Sequence, residues 1–122
     1  MHAVDAYFTR FFPPMQERLS IIRQTALKAF PGAEERLCHS LPAFAQNGQV
    51  FMFYGAYKHH ISICVGYDWI DFLKEQYPMY GYTKATILFP HDNPFPNDMV
   101  QVICDLLRQG HGSSGISSPE KG

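Results

Sequence analysis

The side chains with chemistry to offer are six histidines, three cysteines and a short cationic and phenolic string between positions 54 and 60. Lys58, His60 and Lys84, with the hydroxyls of Tyr54 and Tyr57, are the residue types that hold a small anion. Ammonium and imidazolium groups supply charge, phenols donate hydrogen bonds, and the aromatic run beside them offers an apolar wall. Trp69 and Tyr82 are candidates to complete that wall. The same lysines and imidazole also suit the solvent end of a strand, where they discourage edge pairing. Glu34 and Glu35 are the one adjacent carboxylate pair and the weak candidate for a metal, since hard cations prefer oxygen ligands. A solvated turn after Pro31-Gly32 is their plainer role.

Other chemistries find less footing. No two histidines stand four apart on a helix and no Cys-x-x-Cys pair occurs, so nothing local gathers transition-metal ligands. His59 and His60 are adjacent and should diverge at a turn. No serine or cysteine falls in a strand-to-helix elbow and no glycine-rich phosphate loop is present, so an enzyme is not the expectation. Ten Lys and Arg against eleven Asp and Glu give a formal charge of −1, which provides no field to draw in nucleic acid or an acidic membrane. Cys38, Cys64 and Cys104 are odd in number, widely spaced and set among apolar neighbours, which fits free thiols in a reducing compartment. Residues 1–10 show no basic segment followed by an apolar run, and no later stretch has the length of a membrane span, so a cytoplasmic protein is expected.

The elements that must position these residues follow from periodicity. Asp5 can cap a short helix whose Phe8, Phe11 and Phe12 form one stripe, ended by Pro13-Pro14. From Met15 a longer helix buries Leu19, Ile22, Ala26, Ala29 and Phe30 until Pro31-Gly32 stops it. Glu34 to Leu41 reads as an edge strand running into Pro42. Asn47-Gly48 is a turn that introduces a strand over Val50 to Tyr57, and only Lys58-His59 separates this from His60 to Val65, which specifies a hairpin. Its register would oppose Tyr54 to Ile63 and Ala56 to Ile61, with Phe51, Phe53 and Tyr57 on the other face beside His60, Ser62 and Cys64. That second face is too apolar to stay fully wet, so it should be covered or form a pocket wall. A third helix from Asp68 to about Gln76, a Tyr- and Gly-rich loop to Tyr82, a strand over Ala85 to Phe89, and a last helix from Pro96-Asn97 to Gly110 complete the order. With 46% apolar and 17% charged residues one core is well supplied. The expectation is a single α+β domain over residues 1–110, a mainly antiparallel sheet of four to five strands with helices packed on it. Residues 111–122 read as a disordered tail.

Several of these strings, in order, resemble the YdhG-like family, grouped with small domains of the YjbR and CyaY (frataxin-like) type. Phe12-Pro13-Pro14 with Gln16-Glu17-Arg18-Leu19 is similar to the family's second helix, and Leu41-Pro42-Ala43-Phe44 to its Met-Pro-Ala-Phe element. Ala56-Tyr57-Lys58 with His60-Ile61 resembles its hairpin turn, and Lys84 to Pro90 with Pro94-Phe95-Pro96 its last strand and loop. His39 stands where an aromatic is expected, His59 where Asn is usual and Ala85 where Gly is usual. The resemblance spans residues 4 to 108 and implies a frataxin-like fold. It also implies an intracellular iron chaperone that hands iron to iron–sulfur cluster or haem assembly proteins, with iron as the possible cofactor. The residues themselves show no acidic ridge. They leave open two alternatives, a small-molecule binding module for an anionic or aromatic ligand and a protein-interaction domain whose exposed Trp69, Tyr77, Tyr80 and Tyr82 would meet a partner.

Overall fold

The computed structural model describes residues 3–110. The tail expected over residues 111–122 lies outside them. Four helices and six strands occur in the order α1 (Ala3–Phe8), α2 (Pro13–Ala29), β1 (Glu34–Cys38), β2 (Leu41–Gln46), β3 (Gln49–Ala56), β4 (His60–Cys64), α3 (Ile70–Gln76), β5 (Gly81–Tyr82), β6 (Thr86–Pro90) and α4 (Asn97–Gly110). The strands form one sheet in the order β1-β2-β3-β4-β6-β5, and every neighbouring pair is antiparallel. The α+β class and the antiparallel sheet are as the sequence predicts, with two strands more than periodicity finds.

The missed strands have physical causes. Glu34 to Leu41 reads as one edge strand, but the chain reverses at His39 and Ser40, whose φ values of 52° and 66° are left-handed without a glycine to announce them. Such conformations are uncommon outside Gly, Asn and Asp, so the reversal carries no composition signal. β2 therefore runs between β1 and β3, with Pro42 inside it. The β2–β3 ladder begins only at Ala43 against Phe53, so the missing N–H of Pro42 falls just outside it. β5 has two residues, too few for any period to register. α1 ends at Phe8 and not at Phe12, which is 85% exposed.

The central hairpin has the register read from the sequence, Tyr54 against Ile63 and Ala56 against Ile61. Its helix-covered face joins Met52, Tyr54, Ala56, Ile61, Ile63 and Val65 to Ile87 and Phe89, and all four helices bury side chains there, among them Phe8, Leu19, Ile22, Leu73, Val100 and Ile103. Phe51 differs from expectation. An irregularity opposite Phe44 and Ala45 shifts the pairing from Met52 to Val50, and Phe51 turns into this core to meet Phe30 at 4.3 Å between ring centroids. Trp69, Tyr77, Tyr80 and Tyr82 also pack partly buried against this core and form no exposed aromatic patch.

Two polar contacts fasten the N-terminal layer to the sheet. Arg23 of α2 donates to Asp5 Oδ1 at 2.7 Å and to Glu35 Oε1 at 2.6 Å and 3.0 Å, with its guanidinium 5.4 Å from the Phe8 ring centroid. Burial opposes its charge, and the carboxylates of Glu35 and Asp5 outweigh that to hold its pKa above the ordinary value. Tyr7 of α1 accepts a hydrogen bond from the Ala56 N–H at 3.1 Å, at the end of β3 where β2 has given out. Gly55 makes that approach possible, because a Cβ there would lie 2.9 Å from the Tyr7 hydroxyl and 2.7 Å from Leu41 Cδ2.

Arg23→Ala leaves Glu35, whose side chain is 9% exposed, without its guanidinium. It should lower unfolding free energy in urea by about 2–4 kcal/mol, whereas Glu34→Gln, at an exposed pair with Arg36, should change it by less than about 1 kcal/mol. Tyr7→Phe strands the buried Ala56 N–H and should cost about 1–3 kcal/mol in the same titration. An unchanged midpoint in Tyr7→Phe would contradict the hydroxyl's part in extending the ladder.

Candidate functional site

The second face of the sheet is where function can sit. Ala43, Phe53 and Cys64, opposed across β2, β3 and β4, form a small cluster flanked by Cys38, Leu41, Val50 and Ala85, and none of the described helices contributes to it. Thr86 continues the row on β6, and Ser62, two residue pairs along, is likewise buried. Ala43, Phe53 and Cys64 are all buried, with the His39 ring 6.5 Å from that of Phe53. The sequence predicts that this face is covered or forms a wall, and among the described residues it has no helical cover.

Strand order gives the face two unlike ends. The β1–β2 reversal, the β3–β4 turn and the end of β6 all come to one end, because Leu41 starts β2 where β3 finishes and His60 pairs with Pro90. All four described histidines therefore gather there: His39 on the first reversal, His59 and His60 on the second, His91 just past β6. Lys58 lies in the same turn. Nothing in the local sequence announces this gathering, since it depends on which strands become neighbours.

Within this end the contacts are specific. Tyr57, 41% exposed, stacks on His60 with ring centroids 5.1 Å apart and planes at 23°, and its ring edge reaches back over Gly55. His91 Nε2 donates to the Tyr57 carbonyl at 2.6 Å, and its backbone N–H donates to the His59 carbonyl at 3.1 Å, so His91 holds the turn from outside. A carbonyl can only accept, which puts the proton on Nε2. His60 has its pKa lowered by burial first and then by the nearby His91 and His59 imidazoles. The result is a stacked shelf of Tyr57 and His60 beside Lys58 and His59, with His91 engaged in holding the turn.

The sequence-predicted site is thus partly assembled and partly dispersed. Tyr57, Lys58 and His60 come together. Tyr54 does not join them: it points into the helix-covered core, T-shaped on Phe8 and stacked on Phe44, with its hydroxyl buried. Burial, then the charge of Glu35, pushes that hydroxyl well above the usual phenol range and leaves it no role in holding a ligand. Lys84 is exposed in the β5–β6 connection, before Thr86, which pairs with Cys64. It sits at the opposite end of β4 from Lys58, on the order of 15 Å away at about 3.3 Å per residue. Trp69 and Tyr82 belong to the other core as well, and the Tyr82 hydroxyl donates to the carbonyls of Leu73 and Tyr77 at the end of α3.

The carboxylate pair also separates. Glu35 faces the helices and bonds to Arg23, while Glu34 pairs with Arg36 at 3.3 Å. Both are thereby neutralised by arginines, and among the described residues no three His, Cys, Asp or Glu side chains converge as a metal-holding set. The cysteines are unpaired, and burial pushes the Cys104 thiol up to about 12 and raises that of Cys64, so neither offers a ready thiolate. No helix among the described residues is long and apolar enough to cross a membrane.

No family model and no curated protein matches the chain. Among solved structures, a protein of the DUF1801 family (YdhG) from Bacillus subtilis superimposes with a TM-score of 0.73 at 16% identity, over 84% of this chain and 86% of that one. An uncharacterized conserved protein from Lactobacillus casei does so with a TM-score of 0.59, also at 16% identity, over 96% and 99% of the two chains. At this identity the likeness is one of architecture and assigns no residue a role. The chain therefore has the fold of a DUF1801-family protein, reached from its own strand order and now seen in two others.

Proposed function

We propose that this domain is a small-molecule binding module, with the edge of the sheet face opposite the helices as its platform and the histidine-rich end as the seat of an anionic group. The observation that carries this reading is the placing of Lys58 and His59 beside the Tyr57–His60 stack, which His91 braces through the Tyr57 carbonyl, at the edge of a face without helical cover among the described residues. A planar ligand can extend the stack while its anion meets the lysine and imidazoles, which combines apolar area with a few convergent polar groups. The three free cysteines fit a reducing, cytoplasmic setting.

The frataxin-like placement and the iron-chaperone role that goes with it have less behind them. They rest on the motif resemblance. The carboxylates that would have served, Glu34 and Glu35, are engaged by arginines.

Thermal unfolding with benzoate, phenyl phosphate and inorganic sulfate tests the proposal. Phenyl phosphate, which joins a ring to an oxyanion, should raise Tm most. At a hundredfold excess over its Kd it contributes about 2.7 kcal/mol, a shift of several degrees for a domain this size. Lys58→Ala and Tyr57→Ala should abolish the shift and Lys84→Ala should keep it. No shift with any of the three, or a shift lost only in Lys84→Ala, would overturn the assignment.

A further inference from the structure

The charge at the hairpin end is incomplete near neutral pH. Lys58 stands in the turn, and just past α1 the guanidinium of Arg10 lies 5.1 Å from the ring centroid of Tyr7, whose hydroxyl reaches the end of β3. Among the described residues the other groups around His60 are one phenol and two imidazoles: Tyr57 stacked on it from just past β3, His59 beside it in the turn, and His91 from beyond β6. Asp92, exposed next to His91, is the carboxylate nearest in sequence. His91 already uses its Nε2 proton to hold Tyr57. His60 is half-buried between ring and imidazole neighbours with no hydrogen bond to either ring nitrogen among the described contacts, so it is free to gain a proton if something negative comes to meet it.

We propose, building on the binding reading above, that the hairpin end takes a doubly charged oxyanion and that His60 takes up one proton from solvent as the anion binds, so that affinity rises in mildly acidic solution. The physical cause is a change of neighbour. In the free protein, burial and two adjacent imidazoles disfavour the imidazolium. A dianion within about 4–6 Å of the ring reverses the balance, and the anion and the proton then bind cooperatively. The sign follows from linkage. Free His60 protonates below the ordinary imidazole value of about 6.5, and bound His60 protonates above its free value. Affinity therefore climbs as pH falls through the range between those two values and levels off below the lower one. A singly charged ligand gains less, since its field on the imidazole is weaker at the same distance.

Sulfate is the cleanest probe, because it keeps both charges throughout this range, and methanesulfonate is its singly charged counterpart. Isothermal titration of the whole chain at fixed ionic strength, at about pH 7.5 and about pH 5.5, should show sulfate affinity rising roughly tenfold on acidification. Methanesulfonate should change less, and His60→Gln should flatten the sulfate response. NMR titration of the His60 ring in the unsubstituted chain gives a readout independent of the variant's folding: saturating sulfate should move its midpoint upward. Equal sulfate affinity at both pH values, or an unmoved midpoint, would overturn the proton coupling and leave the binding module standing. Absence of sulfate binding at either pH, with no phenyl phosphate stabilisation, would overturn both.

Discussion

The sheet has two apolar faces, and all four helices bury their side chains on one of them. Leu19, Ile22, Leu73, Val100 and Ile103 meet Tyr54, Ile61, Ile63 and Ile87 there, and this closed layer is the main hydrophobic contribution to the fold. On the reverse face Ala43, Phe53 and Cys64 form a second, smaller cluster with Leu41, Val50 and Ala85, to which none of the described helices contributes. Arg23 keeps the asymmetry in place by joining α1, α2 and the edge strand β1 through two carboxylates on the helix side.

That division determines which groups a ligand can reach. Residues of alternating parity along β3 and β4 go to opposite faces, so Tyr54 is lost to the core while Tyr57 and His60 stay at the open end. Antiparallel order then brings three separate connections to one edge of the molecule, and histidines from all three arrive together. The same order sends Lys84 to the other edge. The anion-accepting character of the hairpin end is thus a product of topology more than of any local motif.

Much of the fold was legible in the sequence where the chain announces itself. The Lys58-His59 spacing gave the hairpin register, and the apolar stripe of Met99, Val100, Ile103, Leu106 and Leu107 gave the last helix, with Leu106 only partly buried. What escaped was carried by conformations that composition does not mark. His39 and Ser40 turn the chain in left-handed φ without glycine, so β2 was hidden behind Pro42. The pairing shift near Phe51 moved that ring from the open face to the core. For the site, Tyr57, Lys58 and His60 could be chosen because they are close in sequence. His39 and His91 could not, since only strand order β1-β2-β3-β4-β6-β5 makes them neighbours of that turn.

The most direct test of the open face as the binding surface is an amide chemical-shift map of the whole chain titrated with phenyl phosphate. The account predicts perturbations concentrated at residues 53–62 and at 90–91, with Lys84 and the exposed side of α2 unmoved. Perturbations centred on the helices or on the β5–β6 connection would contradict it.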